Sequence, residues 1–374
     1  MKVLQILPEL NAGGVERGTL EIGRYLVQQG HEALVVSNGG RMVSALESAG
    51  IRHIAMPVHR KGLRALFQIA PLRRLLMAER PDILHLRSRL PGWIAWLAWR
   101  QLDLASRPRL VTTVHGFYSV NAYSAVMTRG ERVIAVSESI RDYIVKNYPR
   151  TAASVIRVIP RGVDPTEYPR GYRPDAAWAR AWRERYPQLT GERLLTMPGR
   201  VTRLKGHEDF LELLARLCET GQPVHGLIVG EIPPSKAAYR RQLDRLAGRL
   251  GLKERVTFTG HRADLREIMA ISDVVLSLSH QPESFGRTTL EALALGRPVV
   301  GYAHGGVGEQ LRALFPQGAV EAGRVEAAAA AVLKLFGGPS SPAPICPPFT
   351  LEAMCRATLD TYADLLPARP PFIS

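Results

Sequence analysis

Two glutamates, Glu283 and Glu291, stand eight positions apart in the run PESFGRTTLEALALGRPVVGYAHGGVGE, with a glycine turn between them. The run reads as a loop through Glu283, a turn at Ser284-Phe285-Gly286, and a helix from Thr288 to Leu295 with Glu291 about one turn inside. Backbone N–H groups from Gly286 to Thr289 would then face an anion such as a diphosphate. Glu291 could accept hydrogen bonds from a ribose diol, and Glu283 could reach a sugar hydroxyl. A lone pair of glutamates is usually a solvated surface pair. Carboxylates framing a glycine turn at the carboxyl edge of a strand are not typical of surface decoration.

A second cluster lies upstream in GRVTRLKGHEDFLELLARL, where Arg200, Arg203 and Lys205 share one loop between a strand and a helix. Arg binds two oxygens at once and Lys acts as a point charge, so the loop suits a diphosphate. Its ordinary alternative is a solvated basic loop. Near the N-terminus, ELNAGGVERGTLEIG puts Gly13 and Gly14 between the first strand and a helix. That placement lets a ligand approach the backbone and also serves a plain tight turn. The spacing fits neither the dinucleotide fingerprint nor the phosphate loop ending in Lys-Ser/Thr, which disfavours an oxidoreductase or a nucleoside triphosphatase.

These residues need elements to hold them. KVLQILP, EALVVSN, DILHLRS, LVTTVHG, RVIAVS and VIRVIP read as strands in the first half, separated by amphipathic helical segments. RLLTMPGR, VHGLIVG, RVTFTG, DVVLSLS and RPVVGYA repeat the rhythm in the second. Short apolar strands alternating with helices predict parallel sheets covered on both faces. We therefore expect an α/β protein of two doubly wound, Rossmann-like domains facing across a cleft, with ligands at the carboxyl ends of the strands. The expected boundaries are a first domain at 1–165, an interdomain connection at 166–192, a second domain at 193–345, and a C-terminal helix at 346–374 returning to the first domain.

Length and composition agree with this plan. The chain has 374 residues, 46% hydrophobic and 22% charged, enough for two domains with their own cores. Three scattered cysteines, Cys218, Cys346 and Cys355, form no disulfide framework or zinc spacing and suit a reducing compartment. Neither a signal peptide nor a twenty-residue apolar span is visible, which predicts a cytoplasmic protein. The formal charge of +15 is uneven, with 28 Lys and Arg against 15 Asp and Glu in residues 1–190. Such a field attracts nucleic acid, an anionic membrane face or a phosphorylated acceptor, and charge by itself does not choose among them. The absence of an aromatic-basic recognition motif argues against nucleic acid.

Gly13-Gly14, GRVTRLKG, the two glutamates with seven residues between them, and GRPVVGYAHGGVGE together resemble the retaining glycosyltransferases of family 4, with the GT-B fold. The resemblance covers nearly the whole chain. VTTVHGFYSVNAYSAVMTRGERVIAVSESI further resembles the branch that builds lipopolysaccharide and other surface glycans in Gram-negative bacteria. Carried over position by position, it implies that Arg200 and Lys205 clamp the diphosphate, Glu291 holds the ribose and Glu283 the donor sugar. Gly13 and Gly14 would lie beside the donor phosphate, and Phe285, Gly286, Arg287 and Thr288 would complete the donor-binding set. His115 matches the family histidine that approaches the transferred sugar. The turn carries Ser284 where glycine is common, and Glu309 is left a helix-capping or supporting role. Arg87 and Arg89 in HLRSRLPGW have two readings, contact with an anionic acceptor or simple exposure.

The implied reaction moves a sugar from a nucleotide diphosphate sugar to a hydroxyl of a glycan or glycolipid. Attack is front-face, with the leaving phosphate oxygen taking the proton. No Asp-x-Asp motif stands at a strand end, so neither metal nor cofactor is expected. A sugar-nucleotide 2-epimerase and a non-catalytic nucleotide-sugar-binding protein are the alternatives. In HRKGLRALFQIAPLRRLLMAERP, Arg60, Lys61, Arg64, Arg73 and Arg74 alternate with Leu63, Leu66, Phe67, Leu72, Leu75 and Leu76. That pattern predicts docking on the anionic inner face of the cytoplasmic membrane, against the ordinary reading of helices packed on a sheet with solvated arginines.

Overall fold

The computed structural model describes residues 1–366 apart from 12, 61 and 339. Lys61, inside the basic segment, and residues 367–374, at the end of the expected C-terminal segment, lie outside the described residues. The chain divides into two units, Met1–Arg161 with the chain from Leu351 onward, and Gly162–Thr350.

The first unit holds β1 (Lys2–Ile6), β2 (Glu32–Ser37), β3 (Arg52–Ala55), β4 (Ile83–Leu86), β5 (Arg109–Val114), β6 (Arg132–Ala135) and β7 (Ile156–Val158). Every pairing is parallel and the order is β3-β2-β1-β4-β5-β6-β7. The order reverses between β1 and β4, which leaves a crevice at their carboxyl ends. The Gly14–Gln28 helix starts just after β1 and turns Gly18, Ile22 and Leu26 inward, one residue per turn. The Leu351–Ala363 helix packs against it. β3 is an addition to the sequence reading. Its residues RHIA are all partly exposed at the sheet edge, so no apolar run marks it.

The second unit holds β8 (Arg193–Pro198), β9 (Val224–Val229), β10 (Val256–Gly260), β11 (Val274–Ser277), β12 (Val299–Tyr302) and the two-residue β13 (Ala319–Val320). The sheet is again parallel, ordered β10-β9-β8-β11-β12-β13, with its reversal between β8 and β11. Its core gathers Phe210, Leu214, Leu243, Leu276, Val300 and Tyr302 between sheet and helices.

The 166–192 stretch differs from the connection expected of it. Asp175 caps an Ala176–Arg185 helix by accepting from Trp178 N–H. Trp178 and Trp182 stack with centroids 5.2 Å apart, and Trp182 meets Tyr186 at 4.5 Å. Trp182, Tyr186 and Leu189 pack on Leu194, Leu227, Val229 and Ile268 of the second sheet and its helices. Flanking Pro and Gly residues suggest a linker, but an i, i+4, i+8 aromatic stripe gives this helix a buried face.

Candidate active site

In the second unit the β8/β11 reversal brings two loops together at the strand ends. The first runs from Gly199 to Gly206, and His280 N–H donates to Leu204 O across 2.9 Å to tie it to the second. Lys205 Nζ thereby lies 2.8 Å from Glu283 Oε1. The same oxygen accepts from Ser279 Oγ at 2.5 Å. Burial by itself pushes the Glu283 carboxyl up, but the Lys205 charge, the bonds from Lys205 and Ser279, and nearby His304 outweigh it. The carboxyl sits below its ordinary range. Glu283 is thus a fixed anion.

The turn between the glutamates is held from below. Gly306 N–H donates to Glu283 O at 2.8 Å, and Gln310 Nε2 donates to Phe285 O at 2.5 Å. Both come from the Gly305–Leu314 helix, and His304 just before it donates from Nε2 to Ser279 O at 2.8 Å. Phe285 is buried beneath the turn and anchors it, while Gly286, in the left-handed conformation, starts the Arg287–Ala294 helix. Glu291 lies in that helix, only 7% exposed, with Arg287 Nε 4.0 Å from its carboxylate. Of the amides expected to face an anion, that of Thr289 is already bonded to Gly286 O. Thr288 is half-buried beside it. Glu309 sits in the second turn of its helix, not at its cap, and the neighbouring Gln310 bonds Phe285 O.

Arg200 is exposed on the Gly199–Gly206 loop. Arg203 turns away to Gln242, Glu208 and the Tyr239 ring. Ser279, His304 and Gln310 were not picked out from the sequence. The only hint of them was their closeness to the glutamate motif.

The first unit collects a different group at its strand ends. Gly13 and Gly14 are exposed at the start of the Gly14–Gln28 helix. His115 follows β5, with Nδ1 2.5 Å from Arg161 Nη2. Arg87 follows β4 and is 1% exposed, which overturns the reading of simple exposure. Its burial comes from β4 being central in the sheet, next to β1. Arg89 donates to Ser124 Oγ and lies over the Tyr118 and Tyr123 rings. Arg73 and Arg74 are exposed on the Ile69–Glu79 helix. Leu72 and Leu76, expected on an outward face with them, are buried in the unit. In this segment, among the described residues, Leu66, Phe67 and Met77 are the exposed large apolar groups. Among the described residues, no helix is long and apolar enough to cross a membrane.

Two reversed parallel sheets, each with charged groups at its strand ends, and a lysine–glutamate pair beside a glycine-started helix place the chain among the doubly wound α/β proteins of two Rossmann-like units. Residues 12–167 match the model of Glycosyltransferase Family 4, and residues 179–344 match that of Glycosyl transferases group 1. A D-inositol 3-phosphate glycosyltransferase of Geodermatophilus obscurus is 30% identical over 338 residues, which span 81% of this chain and 73% of that one. A crystal structure of a glycosyltransferase from Rickettsia africae matches with a TM-score of 0.82 at 27% identity, over 98% of this chain and 99% of that one. Anabaena HepE, solved in complex with UDP and glucose, matches in fold with a TM-score of 0.73 at 21% identity, over 98% and 94% of the two chains. The chain belongs to the family 4 and group 1 glycosyltransferases of the GT-B superfamily, enzymes that transfer a sugar from a nucleotide sugar to an acceptor.

Proposed function

We propose that the protein transfers a sugar, with retention at the anomeric carbon, from a nucleotide diphosphate sugar to a surface-glycan intermediate such as a lipopolysaccharide core. The observation that carries the donor side is the convergence of Lys205, Glu283 and the Arg287–Ala294 helix start at the ends of β8 and β11. In this reading Glu291 accepts from the ribose diol, Glu283 from a donor-sugar hydroxyl, and Arg200 with Lys205 stabilises the departing diphosphate. Leaving-group charge grows in the transition state, so the two cations act mainly on turnover. Removing Glu291 deletes charged hydrogen bonds worth about 1.5–3 kcal/mol. Glu291→Ala should therefore weaken nucleotide-sugar binding roughly ten- to a hundredfold, as read by calorimetry with UDP, GDP and ADP sugars. A folded variant with unchanged donor affinity and turnover would refute the assignment.

The acceptor side draws on the resemblance of the VTTVHGFYSV region to surface-glycan enzymes and on the basic first half. Phe67 is 74% exposed, with exposed Leu66 and Met77 and the cations Arg64, Arg73 and Arg74 on the same segment. Apolar groups among cations suit an anionic lipid surface, where each cation contributes about 1 kcal/mol and is screened within a Debye length. Binding to anionic but not zwitterionic liposomes, lost at high salt and weakened by Arg73→Glu with Arg74→Glu, tests this. Indifference to lipid charge at low salt would sink it without touching the transfer reaction. A second reading follows from the Geodermatophilus relative, named for inositol phosphate. Offering a glycolipid and D-inositol 3-phosphate side by side decides between the acceptors.

A further inference from the structure

His115 is held on one side only. Arg161 Nη2 lies 2.5 Å from its Nδ1, while its Nε2 is buried with no hydrogen-bond partner among the described residues. The backbone N–H of His115 donates to Tyr118 Oη at 3.2 Å, so the start of the loop is pinned as well as the ring. A guanidinium carries five N–H donors and no acceptor, and it is not deprotonated in proteins. Nδ1 must therefore be the acceptor in this bond and carry no proton. The ring's single proton then resides on Nε2.

The surroundings enforce the same state. Burial is the largest influence and pushes the imidazole well below its ordinary value, with the Arg161 and Arg87 charges and His85 adding to it. His85 is itself kept neutral by burial and is bonded to Tyr362 Oη and Thr113 Oγ1, both at 2.7 Å. Arg87 has Nε and Nη2 buried without partners, and the carboxylates acting on it, Glu21 and Glu16, lie on the Gly14–Gln28 helix. Among the described residues, no carboxylate is bonded to His115. Gly18 of that helix makes room for the two cations: a Cβ there would stand 3.0 Å from Arg87 Nη2 and 3.2 Å from Arg161 Nη1.

We infer that Arg161 is a positioning residue that fixes His115 as a neutral imidazole with its proton on Nε2, making His115 a hydrogen-bond donor and not a general base. Nε2–H is a buried donor awaiting an acceptor, and an oxygen of the sugar or acceptor brought to the β5 strand end would supply one. A ring locked this way cannot take up the acceptor's proton, which leaves that proton to the departing phosphate. The tautomer stands on the geometry of the first unit alone. Its use in transfer rests on the function proposed above.

The test is long-range proton–nitrogen NMR on the full chain labelled with ¹⁵N-histidine, with His115 assigned by its loss in His115→Gln. The expected wild-type spectrum has a protonated Nε2 and an unprotonated Nδ1, unchanged between about pH 8 and pH 5.5, below the ordinary histidine range. Arg161→Met removes the donor, so the ring should mix tautomers and begin to titrate in that window, with kcat falling roughly ten- to a hundredfold and donor KM little changed. Arg161→Gln keeps an N–H for Nδ1 and should preserve the tautomer and recover part of kcat. Titration of wild-type His115 in that window, or a proton on Nδ1, overturns the inference without any variant. An Arg161→Met protein that loses turnover while its His115 spectrum is unchanged overturns the positioning role and leaves the glycosyltransferase reading intact.

Discussion

Gly206→Ala separates the placement of Lys205 from its charge. Gly206 has φ 75° and ψ 39° and directly follows Lys205 at the start of the His207–Glu219 helix. A Cβ there would lie 1.9 Å from the backbone oxygen of Leu278 and 2.9 Å from its carbonyl carbon. The left-handed conformation costs a non-glycine residue about 1–2 kcal/mol, and overpacking against backbone adds about 1–3 kcal/mol. The expected loss is therefore about 2–5 kcal/mol. Gly221 is a matched control, with φ +74° and nothing within 4 Å of its would-be Cβ, so Gly221→Ala should show only the conformational part. Relieving the contact requires the loop and the 278–283 segment to separate by about 1 Å. Under the role proposed for Lys205, a displacement of that size can cost about a hundredfold in rate, because Lys205 would leave Glu283. Urea unfolding of both variants followed by tryptophan fluorescence gives the stability difference, and initial rates at saturating donor give the second quantity. Equal destabilisation of the two variants, or Gly206→Ala with wild-type turnover, would refute the claim that the close loop approach positions Lys205.

Burial holds both His207 and His225 down to about 4, from an ordinary 6.5. The unfolded chain takes up these protons first, so stability should fall as pH drops from about 7 toward 4, by about 1.4 kcal/mol per unit for each histidine. Replacing His225 by Gln should flatten the slope of unfolding free energy against pH by about one such increment, whatever its effect at neutral pH. Trp182→Ala removes the centre of the aromatic stack on the Ala176–Arg185 helix and should cost about 3–5 kcal/mol. A near-neutral result in denaturant titration would mean that this helix is not part of the second unit's core.

Much of the architecture was legible in the order of residues. Runs such as KVLQI, EALVVS and VHGLIV are buried on both faces of a parallel sheet, and a continuous apolar run bounded by turn residues directly records that environment. The backbone placement of the residues proposed for the donor side could be read for a similar reason. Lys205, Glu283 and Glu291 sit within a few residues of strand ends and glycine turns, so local spacing already determines where their backbones go. Edge strands β3 and β13 left no such record, because a short, half-exposed strand needs no apolar run.

Other features arise only when the sheet closes. Leu72 and Leu76 face inward, and not outward with Arg73 and Arg74, because the rotation of their helix is set by the surface it packs on. Arg87 reads as an acceptor contact or an exposed arginine until β4 takes its place beside β1, whereupon it is buried beside Gly18 of the Gly14–Gln28 helix. Arg161 and His115 are 46 positions apart, on segments following β7 and β5, and nothing in either segment names the other. Their contact depends on two crossover connections and on the strand order β5-β6-β7. Periodicity reports how buried a residue will be, whereas the partner of a buried polar group is decided by strand order, which local sequence does not encode.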